Sequence, residues 1–315
     1  MAQSEISGKI VITGAAGLVG QNLVVRLKAM GCGDIVAIDK HPANTAILAR
    51  LHPDIRVIRA DLARDDGWQD SLAGAAALVQ MHAQIGGLDW QEFEDNNITA
   101  TKRVLAAAEA AGVPYLVHAS SSVVNSAAVD FYTESKKAQE TLVDASPLCH
   151  VVLRPTLMFG WFDRKHLGWL ARFMARVPVF PIPGHGRYLR QPLYVGDFCD
   201  IVLSCLGSQT TGTYDISGQE RVFYVDLIRQ LRRAVKARTL IFPIPYALFA
   251  ALLRAYALVD GNPPFTVKQL QALVTPDEFA VIDWPGLFGV RATPLAEALD
   301  ITFNDSRYSL VTLAF

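Results

Sequence analysis

Short apolar runs alternate with helically spaced ones along the first half of this 315-residue chain. Ile10-Val11-Ile12 is uninterrupted and short, the pattern of a strand buried on both faces. It meets Gly14, Gly17 and Gly20 at every third position, and Gln21–Met30 then places Leu23, Val24 and Leu27 on one helical face. Gly31-Cys32-Gly33 ends that helix. The alternation recurs: Ile35–Ile38, Ile55–Ala60, Ala76–Met81, Tyr115–Ala119 and Val151–Thr156 predict further strands. Asn97–Ala111 predicts a long alanine-rich helix, stopped by Gly112 and Pro114. This order predicts an α/β fold built on a doubly wound parallel sheet, with ligands at the carboxyl ends of the strands.

Past Thr156 the pattern loosens. Gly212–Ile216 reads as a short strand and Val225–Val235 as a helix. Trp161–His166 is predicted to be a mobile, mixed-charge segment over the cleft. Phe242 to Leu258 carries leucines and aromatics at helical spacing, expected to form core, with a lipid-like substrate pocket or a membrane-docking face as the other readings. Prolines early and Arg254 late in Leu240–Val259 argue for a buried or surface-docking helix rather than a membrane span.

Composition narrows the partners. The chain is 51% apolar with a net charge of −1, so no basic excess points to nucleic acid and no polybasic stretch to anionic lipid. Cys32, Cys149, Cys199 and Cys205 form no CxxC pair and no metal-spaced cluster with histidine, which predicts no metal and a reduced, cytoplasmic setting. Met1 to Gly8 is polar and lacks the apolar centre of a signal peptide.

Every polar cluster in the first half follows a predicted strand. The glycine turn suits a phosphate: Gly14 permits the tight turn, Gly17 lets backbone approach a pyrophosphate, and Gly20 lets helix and strand pack closely. Leu18, Val19 and Gly20 stand where helix-start N–H groups face the anion. Asp39 closes the second strand about twenty residues on, where a carboxylate binds the adenosine ribose and repels a 2′-phosphate; this favours NAD over NADP, although Lys40 beside it blunts the preference. Tyr132 and Lys136 are four apart on a predicted helix and therefore share a face. An ammonium near a phenol favours the phenolate, and such a tyrosine exchanges a proton with a hydroxyl or carbonyl while a nicotinamide exchanges the hydride. Ser120-Ser121-Ser122 ends the fifth strand eleven residues before Tyr132.

At these residues the chain resembles the extended branch of the short-chain dehydrogenase/reductase superfamily, the NAD-dependent epimerase/dehydratase family. The resemblance rests on Thr13–Gly20, Asp39, Asp61-Leu62, Asn97–Thr101, Ser120–Ser122, Tyr132–Lys136, Leu153–Thr156 and Tyr194–Asp197, and spans nearly the whole chain. It implies a Rossmann-type NAD-binding domain over residues 1–155, to which segments near 191–205 return, and a smaller, discontinuous C-terminal substrate lobe within 156–315. It implies Tyr132 as general acid/base and Lys136 as the group holding the nicotinamide ribose and the tyrosine's ionisation. Ser121 takes the catalytic serine's place, with Ser122 as the other candidate, and Asn125 stands where the family carries a tyrosine. Asn97 resembles the asparagine that tethers a water behind the lysine, or caps its helix. Asp61 and Leu62 would flank the adenine. Met81, His82 and Ala83, with Gln84 following, line the turn after strand four, His82 as a packed rather than catalytic residue. Pro155 to Leu157 would border the carboxamide.

Two features divide on the substrate. The family's Asn-Val-Tyr-Gly turn, whose asparagine reaches sugar-nucleotide phosphates, is here Leu157-Met158-Phe159-Gly160. The Pro183–Gln191 segment instead resembles one whose arginine grips a substrate phosphate, here Arg190 or Arg187, or else a solvated basic loop. Epimerisation or 4-keto reduction of a nucleoside-diphosphate sugar is therefore the first expectation. An apolar alcohol or ketone of the hydroxysteroid kind is the second, and a non-catalytic NAD-binding subunit the third. No Asp-Glu pair follows the serine, which disfavours a dehydratase. The resemblance also implies a homodimer, through outward apolar stripes on the helices near Asn97 and Tyr132. Thr293-Pro294-Leu295 with Ala296–Leu299 resembles the branch's final helix.

Overall fold

Strand β1 (Lys9–Thr13) sends Ile10 and Ile12 into one apolar layer and Val11 into the other, and all three are buried. A computed structural model describes residues 6–126, 129–259, 270–271, 274 and 279–314. Beside β1 run β2 (Ile35–Asp39), β3 (Arg56–Arg59), β4 (Ala75–Gln80), β5 (Leu116–Ala119) and β6 (His150–Pro155). The short β7 (Met158–Phe159), β8 (Val179–Pro183), β9 (Leu189–Arg190) and β10 (Leu193–Tyr194) precede β11 (Gly212–Ile216), and β12 (Val222–Phe223) and β13 (Leu240–Ile244) follow it. The main sheet has seven parallel strands in the order β11-β6-β5-β4-β1-β2-β3. The order reverses between β1 and β4, the crevice where doubly wound sheets bind ligands. The predicted Rossmann-type architecture is observed.

Helix α1 (Leu18–Ala29) starts three residues before the predicted Gln21, because Gly17, extended at φ −77° and ψ 177°, already serves as its N-cap. Leu23, Val24 and Leu27 are fully buried against the sheet, each side chain worth about 1.5–3 kcal/mol. The turn ends at Gly31, whose φ is +81°. α2 (Pro42–Leu51) links β2 to β3. The helix predicted from Asn97 begins earlier, as α3 (Trp90–Phe93), passes through a π-helical turn at Glu94–Thr99, and continues as α4 (Ala100–Ala110). Asn97 therefore sits inside a widened turn rather than at a cap. α5 (Phe131–Asp144) is capped by Asp130, whose carboxylate accepts from the Thr133 N–H at 2.9 Å.

α6 (His166–Met174), α7 (Val195–Ser208), α8 (Tyr224–Ala234) and α9 (Tyr246–Val259) belong to the second half. Two of its segments rejoin the first: β11 extends the sheet beside β6, and Asp200 of α7 pairs with Arg26 of α1 at 3.0 Å. Residues 295–304 form the predicted last helix. Beneath β6, Arg154 holds Glu140 of α5 by two nitrogens, at 2.6 and 2.9 Å.

Two expectations fail. Trp161–His166 is anchored: Phe162 and Asp163 are buried, the Trp161 indole donates to the Ile301 carbonyl at 2.9 Å, and Asp163 accepts from the Lys165 and Gly168 N–H groups. Phe242–Leu258 does not form core as a whole, since Phe242, Tyr246, Leu248 and Leu252 are exposed; the side chains of residues 256–259 lie outside those described. The exposed positions of α4 and α5 mix Ala106, Ala110 and Phe131 with Lys102, Glu109, Glu134 and Thr141. No described helix is long and apolar enough to cross a membrane. All four cysteines are free, and no cluster of potential metal ligands occurs among the described residues.

Candidate active site

A cavity of about 520 Å³ opens along the carboxyl ends of β1, β2, β4, β5 and β6. Gly14, Gly17, Leu18, Val19, Gly20, Asp39, Lys40, Asp61 and Leu62 line one end, and Met81, His82, Ala83 and Gln84 the middle. Ser121, Ser122, Tyr132, Pro155 and Leu157 line the other. Residues spread over more than a hundred positions of sequence thus share one surface because each follows a strand of the same sheet.

At Gly14 and Gly20 the turn leaves no room for a side chain. A methyl group on Gly20 would stand 2.5 Å from the Ala15 Cα, and one on Gly14 would stand 2.6 Å from the His82 nitrogen. Backbone is thus exposed where Leu18, Val19 and Gly20 open α1, and first-turn N–H groups have no helical carbonyl to bond. This bare cradle fits a pyrophosphate. Asp39 reaches back into the loop: its Oδ2 accepts from the Ala16 N–H at 3.0 Å and its Oδ1 from the His41 N–H at 2.9 Å. Burial lifts the Asp39 carboxyl above its ordinary range, against those hydrogen bonds. Lys40 turns its ammonium to Asp61 and Asn96 rather than into a phosphate-sized gap.

His82 is packed, as expected. Its Nδ1 lies 2.9 Å from the Thr13 hydroxyl and its Nε2 3.2 Å from that of Thr101, and burial lowers the imidazole to about 3. Asn97 brackets the backbone of Gln84, accepting from its N–H at 2.6 Å and donating to its carbonyl at 3.1 Å, and also donates to the Ser135 hydroxyl. It does not line the cavity; it fixes the strand-four turn against α5.

At the far end the Ser121 hydroxyl acts on the Tyr132 phenol and favours its ionised form. Ser122 exerts no such influence although it also lines the cavity, and Ser120 is spent on Glu140. Burial is the largest influence on Tyr132 and lifts its hydroxyl above the ordinary tyrosine range. The expected depression by Lys136 is not seen. The Lys136 amine, fully buried, donates to the Ala119 carbonyl at 3.0 Å, and burial lowers it to about 7. Phenol and amine are thus both held toward their neutral forms.

That shift has a measurable consequence. Lys136 sheds its proton near pH 7 in the native chain but only near pH 10 when unfolded. Between these values the unfolded state binds the extra proton, so native stability rises with pH; below 7 the full penalty of a buried ammonium remains. Lys136→Met removes that penalty. Its lead in Tm over the wild type, measured without nucleotide, should be largest at pH 7 and shrink by at least about 2 °C toward pH 9.5, roughly 1 kcal/mol for a chain of this size. A gap independent of pH would show that Lys136 is buried without a shifted titration.

Three expected substrate contacts are not brought to the cavity. Asn125 is exposed, donating to Asp215 at 2.9 Å and accepting from Arg154. Arg187 lies over the Phe223 ring and Arg190 over that of Tyr188, and neither lines the cavity. Met158 and His166, from the turn and the segment placed over the cleft, line it, together with Ile85, Val123 and Phe279, which the sequence did not single out. Phe279 arrives from far along the chain because its N–H donates to the buried Gln191 side chain at 3.1 Å. No local pattern marks such a contact.

The model of the NAD dependent epimerase/dehydratase family matches residues 10–217. The chain is 24% identical to a ceramide reductase of Caulobacter vibrioides, covering 96% of this chain and 92% of the relative. It is 27% identical to a 2-alkyl-3-oxoalkanoate reductase of Stenotrophomonas maltophilia, with coverages of 87% and 91%. The UDP-glucuronic acid 4-epimerase of Bacillus cereus, solved with NAD, shares the fold at a TM-score of 0.70 and 20% identity, over 94% of this chain and 97% of that one. The match over about two thirds of the chain, with the glycine cradle, Asp39, Ser121 and Tyr132 gathered on one cavity, makes this protein a member of the NAD-dependent epimerase/dehydratase family, an enzyme whose cofactor is NAD.

Proposed function

We propose that the chain catalyses NAD-dependent oxidation or reduction of an apolar secondary alcohol or ketone. The observation that carries this reading is the lining of the substrate end: Ile85, Val123, Leu157, Met158 and Phe279 are there, and no arginine is. A nucleoside diphosphate needs cations or converging N–H groups at its phosphates, and Arg187 and Arg190 are both engaged elsewhere. The names of the two reductase relatives point to apolar-chain substrates and support the same class.

NAD supplies or accepts the hydride. Pro155 and Leu157 border the place where its carboxamide would lie, and the glycine cradle with Asp39 would hold the pyrophosphate and ribose. Tyr132, neutral because it is buried, is suited to donate its phenolic proton to a forming alkoxide and to take it back in the reverse direction. Ser121 positions the same oxygen through its hydroxyl. Lys136, buried outside the cavity lining, donates to the Ala119 carbonyl and so holds in place the end of strand five that leads to Ser121; its expected contact with the nicotinamide ribose would require the amine to leave that carbonyl.

The test compares 3-ketoacyl or 3-hydroxyacyl substrates of increasing chain length with nucleotide sugars, after nucleotide release and refilling with NAD(H). Each added CH₂ should raise kcat/KM about fourfold until the apolar end is filled, the effect of burying roughly 0.8 kcal/mol of methylene. Epimerisation of a UDP-sugar with no net redox, and no chain-length dependence, would overturn the reading in favour of the nucleotide-sugar alternative, which the likeness to the Bacillus cereus fold keeps in view.

A further inference from the structure

From Leu227 to Val259 the chain has no carboxylate and six cations, Arg229, Arg232, Arg233, Lys236, Arg238 and Arg254, although its net charge is −1. In sequence these cations look like the solvated side of an amphipathic helix, spaced too widely to form a polybasic run. The fold gives them a different setting. Strands β8 and β13 lie parallel with Val179 beside Leu240 and Pro181 beside Phe242. In-register neighbours share a face, so Phe180, Ile182 and Ile241 turn into the core while the other four point outward. Val179 is 45% exposed, Leu240 66% and Phe242 56%.

Helix α9 follows β13 directly after Pro245 and carries further exposed apolar side chains. Ala250 is buried and Phe249 and Leu253 half-buried, whereas Leu248 and Leu252, one turn apart, are exposed, with Tyr246 at the helix start. Exposed cations edge the apolar strip. Arg176 and Arg238 stand two residues before Pro178 and Leu240, where the Leu240 N–H donates to the Pro178 carbonyl at the start of the ribbon; Arg233 and Lys236 lie just upstream and Arg254 on α9 itself. Large apolar side chains clustered this densely in water mark a docking surface.

We infer that the outward face of β8, β13 and α9 docks on an anionic lipid bilayer, with Leu240, Phe242, Leu248 and Leu252 entering the headgroup boundary and the arginines and Lys236 on the lipid phosphates. Leucine and phenylalanine beside lysine and arginine, with no acid between, is the composition of an interfacial element. α9 has 14 residues, about 21 Å of helix, too short for the roughly 30 Å hydrocarbon core, so it lies on the surface. A second copy of the chain fits less well. In a two-fold interface the same patch meets itself, setting cations against cations.

Sedimentation of the full-length protein with phosphatidylcholine vesicles, with and without phosphatidylglycerol, tests this. The protein should pellet with the phosphatidylglycerol vesicles and be released as salt rises. Leu240→Glu with Phe242→Glu, both outward and free to be polar without unfolding the chain, should abolish binding at unchanged Tm. Arg233→Gln with Arg238→Gln should weaken it roughly thirtyfold, about fivefold per cation. The inference fails if the wild type stays in the supernatant, if the variants bind like wild type, or if the wild type is a dimer that the glutamate variants dissolve. Vesicle binding is read without turnover, so its failure leaves the substrate reading standing, and a wrong substrate leaves this surface standing.

Discussion

Replacing Tyr132 by phenylalanine should lower kcat by about 10²- to 10⁴-fold, the range for losing a positioned general acid or base, while NAD still binds. Only the hydroxyl is removed. The ring remains between the strand-five turn and the cavity, so Tm should stay within about 2 °C of wild type. The kcat loss corresponds to roughly 3–5 kcal/mol of barrier, more than a positioning hydroxyl contributes elsewhere. Ser121→Ala should also lower kcat, by up to about 10²–10³ where the hydroxyl donates to the developing alkoxide. Ser122→Ala should leave it nearly unchanged, because the hydroxyl that acts on the Tyr132 phenol is that of Ser121. Rates measured with saturating NADH and ketone separate these outcomes. If Tyr132→Phe turned over at the wild-type rate, the acid/base role would be wrong. If Ser122→Ala lost more than Ser121→Ala, the serine assignment would be wrong.

Gly14→Ala should cost the fold itself. Gly14 has φ +70°, a conformation that costs an L-residue about 1–2 kcal/mol. The added methyl would also lie 2.6 Å from the His82 nitrogen and the Met81 carbonyl carbon. Both are backbone at the end of β4, so neither can swing aside as a side chain would. Overpacking of this kind adds about 1–3 kcal/mol. Together the effects should lower Tm by roughly 4–10 °C and empty the purified protein of nucleotide. Gly17→Ala is the contrast. Its φ is −77°, and the nearest atom to an added methyl is the Gly14 oxygen at 3.3 Å, so Tm should barely change while NAD affinity falls as the methyl crowds the pyrophosphate. Equal melting temperatures for wild type and Gly14→Ala would refute the clash.

Much of the site was legible along the chain because a parallel sheet repeats one rule. Each apolar run ends at the same edge, so whatever polar cluster follows it belongs to the ligand face. Gly14, Asp39, Asp61, Ser121 and Tyr132 could be collected that way without coordinates, and all five line the cavity. The substrate half has no such rule. Arg190 sits in a segment with the right spacing, yet its guanidinium lies over Tyr188, and Asn125 turns to Asp215 and Arg154. Side-chain direction there depends on which neighbours the fold supplies.

The sequence by itself determined the strand–helix order, the glycine cradle, the carboxylate after β2 and the Tyr132–Lys136 pair, because local patterns of spacing and periodicity encode each of them. The tertiary structure alone decided how those residues are charged and what surrounds the substrate. Burial holds Tyr132 neutral and turns Lys136 to a carbonyl, and desolvation is a property of the whole packed core. Gln191 brings Phe279 to the cavity across nearly ninety residues. The apolar residues after Thr239 looked like core until the register of β8 and β13 faced half of them outward beside the cations. Hydrophobicity says that a side chain is driven out of water; only the fold says whether protein is there to receive it.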